Sequence, residues 1–169
     1  MASQEPAAEV LTPEKAAAIP WADARVRLSD SRFYWLATTG ADGAPHVRPV
    51  LAVWVDGALH STSSPTAVKA RNLERSPNCS VTVRTDDLDL VLEGRATKVV
   101  DEPTLRQVGE VYIEKYEWPV TVRDGAFDAP YGAPTAGPPP YELYRIDADV
   151  VFGFGTDDAL GPRTTRWRF

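Results

Sequence analysis

Two Asp-Gly pairs, Asp42-Gly43 and Asp56-Gly57, constrain the fold of this chain more than any other feature of its sequence. An Asp-Gly pair between strand-type segments is a strong signal for a tight hairpin turn, because both residues tolerate positive φ. The pairs separate three segments rich in the aromatic and β-branched residues that favour strands. These segments are FYWLATT (33–39), PHVRPVLAVWV (45–55) and ALHSTS (58–63). The sequence therefore predicts three strands in an antiparallel meander.

Three more strands are predicted downstream, with helices only between them. Ser64-Pro65 predicts a helix start with a hydroxyl cap, and Ser76-Pro77 predicts its end. Glu102-Pro103 begins a longer helix that extends to about Tyr116. The strands are NCSVTVRT (78–85), LDLVLEGRATKVV (88–100) and YELYRIDADVVFGFG (141–155). This order predicts a mainly β fold, a six-stranded antiparallel barrel with flanking helices, and not a doubly wound sheet.

One domain is expected over residues 1–169, because a chain of this length is typical of a single core. Residues 1–11 are expected to be a flexible tail, followed by a helix that begins at Thr12-Pro13-Glu14 and a second helix over 21–28. Residues 117–140 are rich in glycine and proline and too long for an ordinary connection. This segment is a candidate lid or partner-contacting loop.

Charge and cysteine content narrow the classes of partner. The net charge of −6 argues against a nucleic-acid-binding protein. A single cysteine, Cys79, cannot form an internal disulfide, which fits a reducing cytoplasmic setting. No apolar segment is long enough to cross a membrane, and two histidines with one cysteine give no convincing metal cluster.

The segment STSSPTAVKARNL (61–73) is the strongest candidate for a binding site. Hydroxyl side chains precede a predicted helix start, whose free N–H groups and dipole favour an anion. Lys69 and Arg71 follow within the helix, and Arg48 on the neighbouring strand could approach from the other side. These groups suit a phosphate. The alternative is that the hydroxyls only cap the helix and that both helical cations are solvated.

The chain resembles the pyridoxamine 5′-phosphate oxidase-like split-barrel family, which includes flavin- and deazaflavin-dependent oxidoreductases. The resemblance rests on GAPHVRPV (43–50), the second Asp-Gly turn, STSS with KARNL, and SPNCSV (76–81), with RWRF at residues 166–169. It implies a homodimer with a cofactor site at the subunit interface. The implied cofactor is FMN or the deazaflavin coenzyme F-420, which one sequence does not separate.

The resemblance also implies which residues hold the cofactor. Ser61 to Ser64 and Lys69 match the phosphate-binding segment, the second strand runs beside the ring, and the C-terminal residues lie near the partner's cofactor. Trp167 could instead plug the barrel, and His46 could be an exposed strand residue. The complete set is His46, Val47, Arg48, Pro49, Val50, Ser61, Thr62, Ser63, Ser64, Thr66, Lys69, Arg71, Asn72, Trp167 and Arg168.

The predicted function is an oxidoreductase that uses this cofactor for hydride transfer to or from a small organic substrate. Because the cofactor supplies the chemistry, no side chain has to act as an obligatory acid or base, and no catalytic residue is assigned. Two alternatives remain open, a non-catalytic flavin-binding or sequestering protein and a haem-binding protein in which His46 would be the axial candidate. True pyridoxamine phosphate oxidation is not expected, because the C-terminus reads RWRF.

Overall fold

A computed structural model describes residues 5–12, 16–134, 136–161 and 163–169. In chain order the elements are β1 (Ala7–Val10), α1 (Trp21–Asp30), β2 (Tyr34–Thr39), β3 (Pro45–Val50), β4 (Ala52–Val55), β5 (Ala58–Ser63), α2 (Val68–Arg75), β6 (Asn78–Val83), β7 (Leu88–Val99), α3 (Glu102–Tyr116), β8 (Thr121–Arg123), β9 (Ala126–Asp128), β10 (Glu142–Gly155) and β11 (Thr164–Arg168). Among these residues, no helix is long and apolar enough to cross a membrane.

Nine of the described strands form one antiparallel sheet. Its main path runs β1-β11-β10-β7-β6-β2-β3, and β5 pairs with both β10 and β4. The path returns towards itself through Leu51, the one residue that separates β3 from β4. No ladder joins β3 to β5 within the described part of the chain, so the sheet is strongly bent but not closed into a barrel.

The 14-residue strand β10 joins the two parts of the sheet. Its first half lies between β5 and β7, and its second half lies between β7 and β11. The change occurs at a register shift between Ala148 and Val150. Gly94 faces this irregularity, and a Cβ added there would lie 2.0 Å from the Asp147 carbonyl oxygen. Only glycine allows the two backbones to approach so closely.

Two hydrophobic cores stabilise the sheet from opposite sides. One contains α1, α2 and the inner face of the bent sheet, with Trp21, Leu28, Leu59 and Trp167 among its members. The other lies under α3 and the segment that follows it.

The predicted mainly β, antiparallel class is confirmed, although the strands differ in number and bounds. Each of the six predicted segments forms strand structure, but the second is divided at Leu51. The expectation of a flexible tail is wrong for residues 7–10, because β1 pairs with β11. Residues 117–140 are not entirely loop, since they contain the β8–β9 hairpin.

The helix predictions were also correct only in part. The helices predicted over 21–28 and from residue 102 to about Tyr116 are α1 and α3. The helix predicted to begin at Thr12-Pro13-Glu14 falls partly on residues 13–15, outside the described residues, and residues 16–20 are not helical. The start predicted at Ser64-Pro65 is wrong. Residues 64–67 form a turn in which the Ala67 N–H donates to the Ser64 carbonyl (3.0 Å), and α2 begins at Val68.

Candidate functional site

At the break at Leu51, β3 and the end of β5 are not joined by a ladder, and the space between these two strands is called the cleft below. The β4–β5 ladder begins at the pair Ala52 and Ser61, so Thr62 and Ser63 have no partner strand on that side. Before the break, β3 pairs with β2 instead. Arg48 lies on β3, on one bank of this cleft, and its guanidinium donates to the Val47 carbonyl (2.7 Å). The end of β5 and the turn into α2 form the other bank.

Three basic side chains on these two banks, His46, Arg48 and Lys69, lie close enough for their charges to interact. Burial lowers the pKa of Lys69, and the nearby positive charge of Arg48 lowers it further. The pKa of His46 is also lowered, first by burial and then by the charges of Arg48 and Lys69. Among the described residues, neither Arg48 nor Lys69 forms a salt bridge. Neighbouring cations without a carboxylate partner form a positively charged niche that an anion would stabilise.

Hydroxyl groups line the end of β5 beside these cations. Ser61, Thr62 and Ser63 are all buried. The Ser61 hydroxyl donates to the Leu51 carbonyl (3.0 Å), and the Ser63 hydroxyl donates to the Ser64 carbonyl (3.1 Å). Ser64 and Thr66 share a hydrogen bond (3.1 Å) in the turn. Ser61 and Ser63 share one face of β5 and Thr62 lies on the other, and most of the hydroxyls in this segment already have a protein acceptor.

The N-terminus of α2 has no side-chain cap. Its N-cap residue is Ala67, which offers no hydroxyl, and within the described part of the chain no side chain caps this helix start. Lys69 lies in that first turn. The uncapped N–H groups at a helix start favour an anion, as do the neighbouring cations.

Arg71 and Asn72 lie on another face of α2. Arg71 donates to the Thr66 carbonyl (2.8 Å). Asn72 is buried and donates to the Thr38 hydroxyl (3.0 Å), which fastens α2 to β2. Both residues border a cavity of about 590 Å³ that is also lined by His46 and Arg75. The structure therefore puts Asn72 in a packing role at the wall of this cavity.

The remaining predicted residues are dispersed. Val47 and Pro49 are exposed on β3, opposite Ala37 and Trp35, whereas Val50 is buried. Trp167 is fully buried, its indole N–H donating to the Ile19 carbonyl (3.1 Å). This buried position corresponds to the packing role that the sequence allowed for Trp167 in place of a cofactor contact. Arg168 is exposed at the end of β11.

The sequence interpretation did not connect α3 with the cleft. The Tyr112 hydroxyl donates to the Leu51 carbonyl (2.9 Å), and the Tyr116 hydroxyl donates to the Ala52 carbonyl (2.8 Å). Tyr112 and Tyr116 are four residues apart, so both lie on one face of α3. This spacing is the sequence signal that could have indicated a shared contact.

A family model described as pyridoxamine 5′-phosphate oxidase matches residues 21–153. No curated protein matches the sequence. Solved structures are similar in fold. A conserved hypothetical protein from Mycobacterium tuberculosis is 24% identical with a TM-score of 0.64, and the match covers 81% of this chain and 85% of that one.

Two further solved structures share the fold at lower identity. An F-420 reductase is 19% identical with a TM-score of 0.55, covering 75% of this chain and 94% of that one. A pyridoxamine 5′-phosphate oxidase-related, FMN-binding protein from Nostoc punctiforme is 17% identical with a TM-score of 0.54, covering 86% and 85%. At these identities the likeness concerns the fold alone.

Proposed function

This chain belongs to the pyridoxamine 5′-phosphate oxidase family, and from that membership we propose that it is an oxidoreductase that uses FMN or coenzyme F-420. It would transfer a hydride to or from a small organic substrate. The observation that carries the proposal is the pair Arg48 on β3 and Lys69 in the first turn of α2, two neighbouring cations that form no salt bridge among the described residues. Their position beside the end of β5 suits the phosphate that both cofactors carry.

The chemistry of the cleft fits this cofactor class. Arg48 and Lys69 would neutralise the phosphate, and the N–H groups at the start of α2 would donate to its oxygens. Among the described residues, the buried Nδ1 atom of His46 has no hydrogen-bond partner. When bound, either cofactor supplies a tricyclic ring that accepts or gives a hydride.

The cavity beside Arg71 and Arg75 bears on the choice between the two cofactors. It shares His46 with the cleft, and its two arginines offer positive charge beyond the proposed phosphate position. Coenzyme F-420 has an anionic polyglutamate tail that would favour such a groove, whereas FMN ends at its phosphate. Titration with both cofactors therefore tests this cavity as well as the cleft.

We also propose that the protein acts as a homodimer. The register joins Pro49, Trp35, Thr82, Val91 and Phe152 in one row across five strands. The row is partly solvent-exposed, and Trp35, next to Pro49 at its edge, is 50% exposed. A partly exposed row that is apolar except for Thr82 is typical of an interaction surface. A second copy would cover it and bring its own residues near the cleft, as the family resemblance implies.

Substrate selection is assigned to the segment that follows α3. The β8–β9 hairpin and Pro139-Pro140 enclose a cavity of about 470 Å³ against Pro65, Lys98 and Glu142. Pro65 directly follows the hydroxyl run, so a ligand in this cavity would lie next to the proposed phosphate anchor. The role of residues 117–140 as a lid rests on this proximity.

The test begins with the absorbance spectrum of the purified protein, followed by fluorescence titration with FMN and with F-420. Lys69→Ala should weaken binding by about 1.5–3 kcal/mol, as expected for a lost charge-assisted hydrogen bond. Arg25→Ala, which removes an exposed cation on α1, is the matched control and should leave affinity unchanged. Affinity that is weaker than micromolar for both cofactors would refute the proposal, and a haem spectrum would favour the haem-binding alternative.

Catalysis is separated from sequestration by a second measurement. The bound cofactor is reduced, and quinone or enone acceptors are added. Reoxidation faster than in buffer supports an enzyme, whereas equal rates with tight binding support a non-catalytic flavin-binding protein.

A further inference from the structure

The backbone groups that are exposed where β3 and β4 separate are bound by side chains of α3. The β4 strand pairs with β5 on one side only, so its other edge would present unpaired N–H and C=O groups. The Ala52 N–H instead donates to the Tyr116 hydroxyl (3.1 Å), and that hydroxyl donates to the Ala52 carbonyl (2.8 Å). The cost of leaving these buried groups unpaired is thereby avoided.

Tyr112 holds the residue at the break itself. Its hydroxyl lies 2.9 Å from the Leu51 carbonyl and 3.1 Å from the His60 carbonyl, so one proton is shared between the two strands. The Leu51 carbonyl also accepts from Ser61. The Leu51 carbonyl at the break therefore binds both Tyr112 and Ser61, the first hydroxyl residue of the proposed phosphate anchor.

Lys115 extends this set of contacts to α1 and β2. Its ammonium donates to the carbonyls of Ala52 (3.1 Å) and Ser29 (2.7 Å) and to the Tyr34 hydroxyl (2.7 Å). The Tyr34 hydroxyl uses its own proton on the Leu28 carbonyl (2.6 Å), so it can only accept from Lys115. All three ammonium N–H groups are thus occupied, and no carboxylate among the described residues pairs with Lys115.

We infer that Lys115 and Tyr116 are positioning residues for the cofactor cleft, a conclusion that rests on the proposed function. By holding Ala52 against α3, next to the Leu51 carbonyl that Tyr112 binds, they keep β3 away from β5. Arg48 lies three residues before the break and Ser61 lies opposite Ala52. If Ala52 were released from α3, the distance between β3 and the end of β5, the two banks that would hold the phosphate, would therefore change.

Tyr116→Phe is the sharpest test, because it removes one oxygen atom and keeps the ring. The dissociation constant for FMN should rise about fivefold to tenfold, the scale of one hydrogen bond. The visible circular dichroism of bound FMN should change as well, since the ring would sit differently in the cleft. Tyr131→Phe is the matched control, because that hydroxyl donates to the Glu117 carbonyl in an exposed segment away from the break.

Lys115→Met is the second variant, with Arg106→Met on an exposed face of α3 as its control. The free energy of unfolding is measured for all four variants by urea denaturation. If Tyr116→Phe and Lys115→Met leave both the FMN affinity and the dichroism unchanged, the inference is overturned. It is also overturned if a control variant changes both by the same amount.

Amide hydrogen exchange of the free protein separates this inference from the proposed function. Tyr116→Phe should speed exchange at Leu51, Ala52 and residues 61–63, and Tyr131→Phe should not. If the wild-type protein binds neither cofactor, the proposed function fails. Faster exchange then still supports the restraint at the break, and unchanged exchange overturns it.

Discussion

His60 should make the stability of this protein depend on pH in a range where few other groups titrate. Its side chain is fully buried on β5, and neither ring nitrogen has a hydrogen-bond partner among the residues that the structure describes. Burial, together with the positive charge of Arg145, lowers its pKa from 6.5 to about 4. The folded protein therefore keeps this imidazole neutral where the unfolded chain would protonate it.

The direction of the effect follows from proton binding. Below about pH 6.5 the unfolded state binds more protons than the folded state, so the free energy of unfolding falls as the pH falls. One pKa unit corresponds to about 1.4 kcal/mol, so the complete loss is about 3 kcal/mol and is reached below about pH 4. Between about pH 7.5 and about pH 5.5 the loss should be about 1.3 kcal/mol.

The perturbation that isolates this contribution is His60→Leu, which keeps a similar volume and removes both unpaired nitrogens. Urea denaturation of wild type and variant is compared between about pH 7.5 and about pH 5.5, above the range where low net charge promotes precipitation. The stability of the variant relative to wild type should increase by about 1.3 kcal/mol as the pH is lowered. The chain has only one other histidine, His46, so His46→Leu is the control and should retain most of the wild-type dependence. Parallel pH curves for wild type and His60→Leu would refute this reasoning.

Three other outcomes are expected. Gly94→Ala should destabilise the protein by about 3 kcal/mol or more in urea denaturation, because its Cβ would collide with the Asp147 carbonyl; a loss below about 1 kcal/mol would contradict the close approach. Asn72→Ala should lower the free energy of unfolding by about 1–2 kcal/mol, because the bond to buried Thr38 is lost; an unchanged midpoint would remove its packing role. Trp35→Glu should shift the protein towards monomer in analytical ultracentrifugation, whereas an unchanged mass would move the proposed interface elsewhere.

Local signals predicted the antiparallel strands and the long helix. Both Asp-Gly turns are present with positive φ at Asp56 and at both glycines. The start of α3 follows from Asp101, whose carboxylate accepts from the Thr104 N–H (3.0 Å), with Pro103 in the first turn. These features depend on neighbouring residues only, and the sequence contains them directly.

The break at Leu51 could not be predicted in the same way. Residues 45–55 alternate and contain no glycine, so they have the pattern of one continuous strand. The separation is stabilised by groups distant in the sequence, among them Tyr112 and Tyr116. The start of α2 was misplaced for a different reason, since Ser64-Pro65 suits a helix cap and a turn equally well. The sequence allowed either a packing role or a cofactor contact for Trp167. Its position is set by contacts with Ile19 and Trp21 in the core.

The double pairing of β10 has a consequence for synthesis of the chain on the ribosome. Neither β5 nor β7 can complete its ladder until β10 has been translated, although β5 ends at residue 63 and β10 begins at residue 142. Such distant pairing slows folding, because a long loop must close before the contacts are gained. Nascent chains that lack β10 should therefore expose unpaired strand edges and depend on chaperones until that strand emerges.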